Sequence, residues 1–433
     1  MPYRKTVSIE ISPEHTRVAE LTNGRKNANV LNVLEFNTPA GCVENGYITN
    51  PEKLGELLRS RLGEEGILTS NAVFSIISED ILVGGAEIER GRKKDVEQEI
   101  RTRAQELFGL AGPRQTDPAV EGEGVPAEET VPDSLEEKAR QDTDHNGVSI
   151  DDYYTAYVEQ DGSGSDWSMN VIIYAAPKDL IESYDRLAEC AQLNLEATDY
   201  SGNAIFQWTR KTFGPEAVML VDLRCKGSTA TILTEGVLRV QVDLMSRTDG
   251  LVDALREYQE AREMDEFAED SFGTYGEDRV RKEAEPLIEE INSLAAEFLS
   301  ENTEEYIDRI LLSSECEGAY QMASMIRNRT GIETLTVEDL PKKTLVKDDS
   351  VFADMNPSRF LGTIGAVIAP LSFRSALEGG SRSMNAHERV DLITRILLII
   401  MVVCLILTAA LCVTYFILRS HNKALDSSLD QVK

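Results

Sequence analysis

Apolar and polar residues alternate from Val7 to Ile11 and again from Val18 to Leu21, the two-residue period of half-buried strands, on either side of the turn Ser12-Pro13-Glu14-His15. A third strand is predicted over Val30 to Phe36. Pro39, Gly41, Asn45 and Gly46 then break the pattern, and Pro51 opens a helix through about Leu62 with Asn50 as its cap. Short strands follow over Ala72 to Ile77 and Ile81 to Glu89, then a charged helix from Lys93 to Leu110. Residues 111–146 are rich in proline, glycine and acids and carry almost no large apolar side chain. They read as a linker or surface insertion, because such a stretch buries too little to offset its ordering entropy.

Beyond it, Tyr153 to Glu159 and Met169 to Ala175 read as strands separated by the turn Asp161-Gly162-Ser163-Gly164, followed by helices Lys178 to Ala191 and Ala204 to Arg210. The second half restarts the same grammar. Strands Ala217 to Leu223, Ser228 to Thr234 and Val237 to Leu244 precede helices Leu251 to Phe267 and Val280 to Leu299, strand Ile307 to Leu312, helix Ala319 to Thr330 and edge strand Thr334 to Val337. Two halves that each open with three strands before their helices predict an internally duplicated α/β body. Its parts are a first domain at 1–215 with an insertion at about 37–168, a second domain at 216–345, and a closing helix within 346–370, here Phe360 to Ala369.

A tether over 371–395 leads to Ile396–Leu418, 23 residues without a charge, and a polar tail at 419–433. A helix of that length measures about 35 Å, enough to cross a bilayer's hydrocarbon core, so a single-pass transmembrane helix is expected. Arginines and lysines on its two sides (Arg374, Arg382, Arg389 and Arg395 before; Arg419, Lys423 and Lys433 after) give a slight preference for a cytoplasmic body. With no translocating segment upstream, the expected place is the cytoplasmic membrane, body inside.

Net charge is −31, which argues against nucleic acid as a partner and against lying flat on anionic lipid. The six cysteines are scattered without a CxxC pair, and the four histidines show no metal spacing, so no metal site is expected. Asp142-Thr143-Asp144-His145-Asn146-Gly147 opens like a calcium loop. Tyr153 stands at the twelfth position where a bidentate glutamate is needed, and an acidic turn is the simpler reading.

Several stretches, in this order and spacing, resemble the actin-like ATPase superfamily (a duplicated, ribonuclease H-like fold), and within it the PilM-type pilus assembly proteins. They are Val7 to Leu21, the run Pro39 to Glu52 (PAGCVENGYITNPE), Ala175 to Ile181 (AAPKDLI), Val221-Asp222-Leu223 with Gly227-Ser228-Thr229, and Gly362 to Ala369. The likeness covers about residues 1–370, and residues 385–433 resemble the start of a PilN-type protein.

The resemblance implies ATP with Mg²⁺ held by two glycine-bearing hairpins and a glycine-rich turn. The first hairpin keeps the acid as Glu10 but has Ser12 for glycine, and Pro13 removes a donor. The second keeps Asp222, Gly227 and Ser228 but carries Arg224 where glycine is expected, and the third turn keeps only Gly318. Two readings stand: a weak nucleotide site with Arg224 pairing a phosphate, or turn residues of a fold without ATP. No catalytic residue is assigned, since nothing stands out as a base for water.

The expected function is a membrane-anchored scaffold of a type IV pilus or type II secretion-like machine. The resemblance implies PilN/PilO-type partners, with a homo-oligomer left open, and Met384 and Asn385 are the candidate for an internal stand-in of the PilN peptide. The alternatives are an ATP-binding actin-like switch or ATPase, and an FtsA-like cell-division anchor.

Overall fold

The computed structural model describes residues 5–22, 29–112, 148–160, 167–224, 228–264, 272–314, 320–340, 357–371, 373 and 401. Strands β1 (Lys5–Ile11), β2 (His15–Thr22) and β3 (Asn29–Asn37) are followed by a two-residue hairpin of β4 (Val43–Glu44) and β5 (Tyr47–Ile48). Helix α1 (Pro51–Glu64) starts where Asn50 Oδ1 accepts the Lys53 N–H at 3.1 Å, and it buries the stripe Leu54, Leu58 and Leu62. Next come β6 (Asn71–Ile76), β7 (Leu82–Glu89), α2 (Lys93–Phe108), β8 (Tyr153–Glu159), β9 (Ser168–Pro177), α3 (Lys178–Ala191), β10 (Asn194–Tyr200) and α4 (Ser201–Phe213). The second half contains β11 (Val218–Leu223), β12 (Thr229–Thr234), β13 (Val237–Asp243), α5 (Asp249–Met264), α6 (Phe272–Glu301), β14 (Arg309–Ser314), α7 (Tyr320–Thr330), β15 (Glu333–Thr336) and α8 (Leu361–Ala366).

The duplication is visible in strand order and direction. The first sheet runs β3-β2-β1-β6-β10 and the second β13-β12-β11-β14-β15. In each, the first three strands are antiparallel neighbours and the last two join parallel to the first. A separate sheet, β7-β9-β8, is covered on one face by α2 through Val96, Ile100 and Ala104.

Side-chain alternation divides the cores. On β11, Met219, Val221 and Leu223 enter the core under α5, α6 and α7, while Val218 and Leu220 point the other way. There they meet Ala19, Leu21, Ile205, Trp208, Leu361 and Ile364, which form a second core between the two sheets. Helices α4 and α8 cross in this inter-sheet core. Their close approach requires glycine, because a Cβ on Gly365 would fall inside van der Waals contact of the Ala204 carbonyl.

Four differences from the sequence pattern have local causes. Strand β10 has no counterpart in the pattern: its residues, NLEATDY, mix acids and polar groups, and only its place as a parallel neighbour of β6 makes it extended. The hairpin β4–β5 lies inside the stretch taken as a break. Helix α4 begins three residues before Ala204, because the polar residues Ser201 and Asn203 are buried. The closing helix is shorter, a 3₁₀ turn at Pro357–Phe360 leading into α8.

The expected membrane anchor is corrected. Among the described residues no helix is long and apolar enough to cross a membrane. Helix α6 has the length, 30 residues, but charges recur along it from Glu277 to Glu301, as suits a helix with one solvated face. The single-pass assignment, the placement in the cytoplasmic membrane and the membrane-anchored scaffold function that rested on it are therefore not supported. Residues 396–418, apart from Met401, lie outside the described residues, as do the tail and most of the acidic stretch 111–146. The chain divides into two units, residues 1–383 and 384–433, and everything below concerns the first.

The crossing of α4 and α8 gives a direct test. Gly365→Val is expected to lower unfolding free energy by about 3 kcal/mol through overpacking. Gly63→Ala, at a helical position with open space around it, is expected to raise it by about 0.5 kcal/mol. Urea titration of both variants checks the pair.

Candidate functional site

The two carboxylates singled out in the sequence occupy equivalent places in the duplicated sheets. Glu10 is the penultimate residue of β1, opposite Arg17 on β2 and Ser75 on β6. Asp222 is the penultimate residue of β11, opposite Thr229 on β12 and Ser313 on β14. The alternation that sends Val7, Ile9 and Ile11 into the core beneath β1 turns Glu10 to the opposite face. Asp222 likewise shares its face with Val218 and Leu220, so both acids look toward the junction of the sheets.

Arg224 lies between them. Its Nε donates to Asp222 Oδ2 at 2.6 Å, its Nη2 donates to Ser201 Oγ at 3.1 Å, and its Nη1 is 3.7 Å from Glu10 Oε1. Ser201 Oγ in turn donates to Glu10 Oε2 at 2.9 Å. The arginine backbone is also fixed. Its N–H donates to Ser228 Oγ at 3.0 Å, and its carbonyl accepts from Ser228 Oγ and, at 2.6 Å, from Thr248 Oγ1.

The charges continue beyond Glu10. Arg17 lies 3.6 Å from Glu10 and 3.8 Å from Glu35, and Arg359 lies 3.7 Å from Glu35. Asp222, Arg224, Glu10, Arg17, Glu35 and Arg359 thus form a chain of alternating sign from the second sheet, through the first, to the 3₁₀ turn before α8. Glu10, Arg17, Asp222 and Arg224 are buried, where each charge is tolerable only because its neighbour opposes it.

The other predicted site residues are distributed differently. Ser12 closes the β1–β2 turn, donating to the His15 carbonyl at 3.1 Å and accepting the His15 N–H at 3.0 Å. It is a turn residue. Gly227, Gly318, Met384 and Asn385 lie outside the described residues. Five participants were not among the sequence candidates: Arg17, Glu35, Ser201, Thr248 and Arg359. Arg17 was within reach, because a turn at Ser12–His15 sets it opposite Glu10 in register. Ser201 and Arg359 come from distant segments and carry no local signal.

Among the described residues, the arrangement at Glu10 and Asp222 leaves little room for a Mg²⁺-bound nucleotide. The cation's carboxylates, Glu10 and Asp222, are already engaged by a guanidinium. The cavity lined by Arg17, Asp222, Arg224, Ser313, Arg359 and Gly362 measures about 10 Å³, room for about one water molecule. Gly362 adds a steric reason, since even a Cβ there would collide with Glu10 and Ser201. Among the described residues there is also no group of acids, histidines and cysteines arranged to hold a metal.

Comparison with known proteins rests on structure. No protein-family model and no curated sequence matches this chain. A solved PilM–PilN type IV pilus biogenesis complex is similar over 87% of this chain and 99% of that one, with 14% identity and a TM-score of 0.60. The ethanolamine utilization protein EutJ of Carboxydothermus hydrogenoformans overlaps 84% of this chain and 89% of its own, with 10% identity and a TM-score of 0.41. The cytoplasmic domain of EpsL, an inner-membrane component of the Vibrio cholerae type II secretion system, overlaps 85% and 97%, with 9% identity and a TM-score of 0.38, and neither of these two looser overlaps decides anything. With its duplicated sheets and the match at a TM-score of 0.60, this chain has an actin-like ATPase-type α/β fold, remotely similar in structure to a PilM–PilN complex member.

Proposed function

We propose that the protein is an actin-like switch: two lobes joined at α4 and α8 whose closed state is held by Arg224 in the place where the fold would put a nucleotide-bound cation. The observation that carries this reading is the set of bonds from one guanidinium to Asp222 on the second lobe and Ser201 on the first, with Glu10 at 3.7 Å. A positive group at the lobe junction is supplied from within the chain, and closure then needs no ligand. We further propose that the lobes present a surface to a protein partner of the PilN/PilO type. The structural match to a PilM–PilN complex supports this partner class, and failure of the chain to co-purify with a PilN-type protein from the same genome would remove it.

A second reading, ATP binding, is favoured by one observation: both carboxylates persist at equivalent strand positions. The two readings predict opposite effects of one substitution. If Arg224 is the internal cation, the wild-type chain gives no heat with millimolar ATP and Mg²⁺ in calorimetry. Arg224→Gly then frees Glu10 and Asp222 and gains Mg²⁺-dependent affinity of at least about tenfold, near 1.4 kcal/mol. If Arg224 pairs a phosphate, the wild type binds and Arg224→Gly loses that binding.

The lock is also measurable without ligand. Arg224→Met strands Asp222 and is expected to cost about 3–5 kcal/mol, the range for breaking one side of a buried ion pair. Adding Asp222→Asn, which leaves Glu10 to Arg17, is expected to recover part of that loss, as read by urea unfolding.

A further inference from the structure

Arg224 is fastened through its backbone as well as its side chain, and the backbone fastening leads away from the lobe junction. It runs through residues 244–248, which join β13 to α5. Leu244 donates its N–H to the Ser228 carbonyl at 2.8 Å and buries its side chain in the core beneath α5. At the other end, Thr248 Oγ1 donates to the Arg224 carbonyl at 2.6 Å, and the Thr248 carbonyl accepts the Val252 N–H at 2.8 Å in the first turn of α5. Between these anchors, two consecutive backbone N–H groups meet one carboxylate from α6. Met245 donates to Glu290 Oε1 at 2.6 Å, and Ser246 donates to Glu290 Oε2 at 2.9 Å. Glu283, two turns earlier on the same face of α6, lies against Gly250 at the start of α5.

Two N–H groups on the two oxygens of one acid form a fork that a carboxylate completes and a neutral amide cannot. Charge-assisted bonds of this kind are about twice as strong as neutral ones. A glutamine in the same place offers one acceptor oxygen and turns its NH₂ toward the second N–H, so it keeps one bond of the two.

We propose that Glu290 is a positioning residue for Arg224. By holding Met245 and Ser246 it sets the course of the loop, and that course keeps the buried Thr248 on the Arg224 carbonyl. Release of the loop from α6 then loosens the guanidinium from Asp222, Ser201 and Glu10. This role rests on Arg224 being the internal cation of the junction, and it gives that lock its means of release. Control of the closed state lies on the second lobe, at a loop whose Met245 side chain is 86% exposed.

Phenylglyoxal labelling of the full-length protein, followed arginine by arginine with mass spectrometry, tests the role. Arg224 and Arg17 are both buried. Arg17 keeps Glu10 and Glu35 beside it when Arg224 moves, so it serves as the reference. In the wild type both arginines are expected to label slowly. Glu290→Ala is expected to speed labelling of Arg224 by about tenfold or more, for the loss of two bonds to a charged group, while Arg17 stays unchanged. Glu290→Gln, the milder variant, should fall between wild type and Glu290→Ala at Arg224 alone. Thr248→Ala, which removes the last link, should speed Arg224 in the same way. No change at Arg224 in Glu290→Ala, or a parallel rise at Arg17 in both Glu290 variants, would overturn the positioning role without touching the lock. Fast labelling of Arg224 in the wild-type chain would instead remove the lock, and this role with it.

Discussion

The position of Arg224 governs the rest of the molecule. A guanidinium buried between two carboxylates cannot be left unpaired without a cost of about 3–5 kcal/mol. The hairpin that carries it, the start of α4 that supplies Ser201, and the glycine at 362 that makes room beside Glu10 are all fitted to that requirement. The alternating charges through Arg17, Glu35 and Arg359 extend the same constraint to the segment leading into α8.

Apolar packing supplies the frame for it. The inter-sheet core, from Ala19 and Leu21 on one side to Val218, Leu220 and Leu311 on the other, continues without a break into Trp208, Leu361 and Ile364 on the crossing helices. The connecting helices share this core with both sheets. Asp199 and Asn203, both fully buried, lie where β10 leads into α4.

Much of the fold was legible in the sequence, and the cause is periodicity. The alternation in Val7–Ile11 and Ala217–Leu223 gave the leading strand of each half, and the amphipathic stripe behind Asn50 gave α1. The repeated grammar gave the duplication. Strand β10 was illegible because a parallel strand beside β6 is specified by its neighbours, and NLEATDY has no alternation of its own. The uncharged run at 396–418 suggested a membrane anchor on hydropathy alone, and none of the described helices supplies one.

For the site, the sequence by itself determined which acids stand at the ends of β1 and β11, and that an arginine stands two residues after Asp222. Those facts depend on local order along the chain. What only the tertiary structure decided is that Arg224 turns inward to Asp222, Ser201 and Glu10. The reason is that the arginine's direction depends on how much space its neighbours leave around it. That space is set by Gly362 and Arg359, contributed more than a hundred residues farther along the chain.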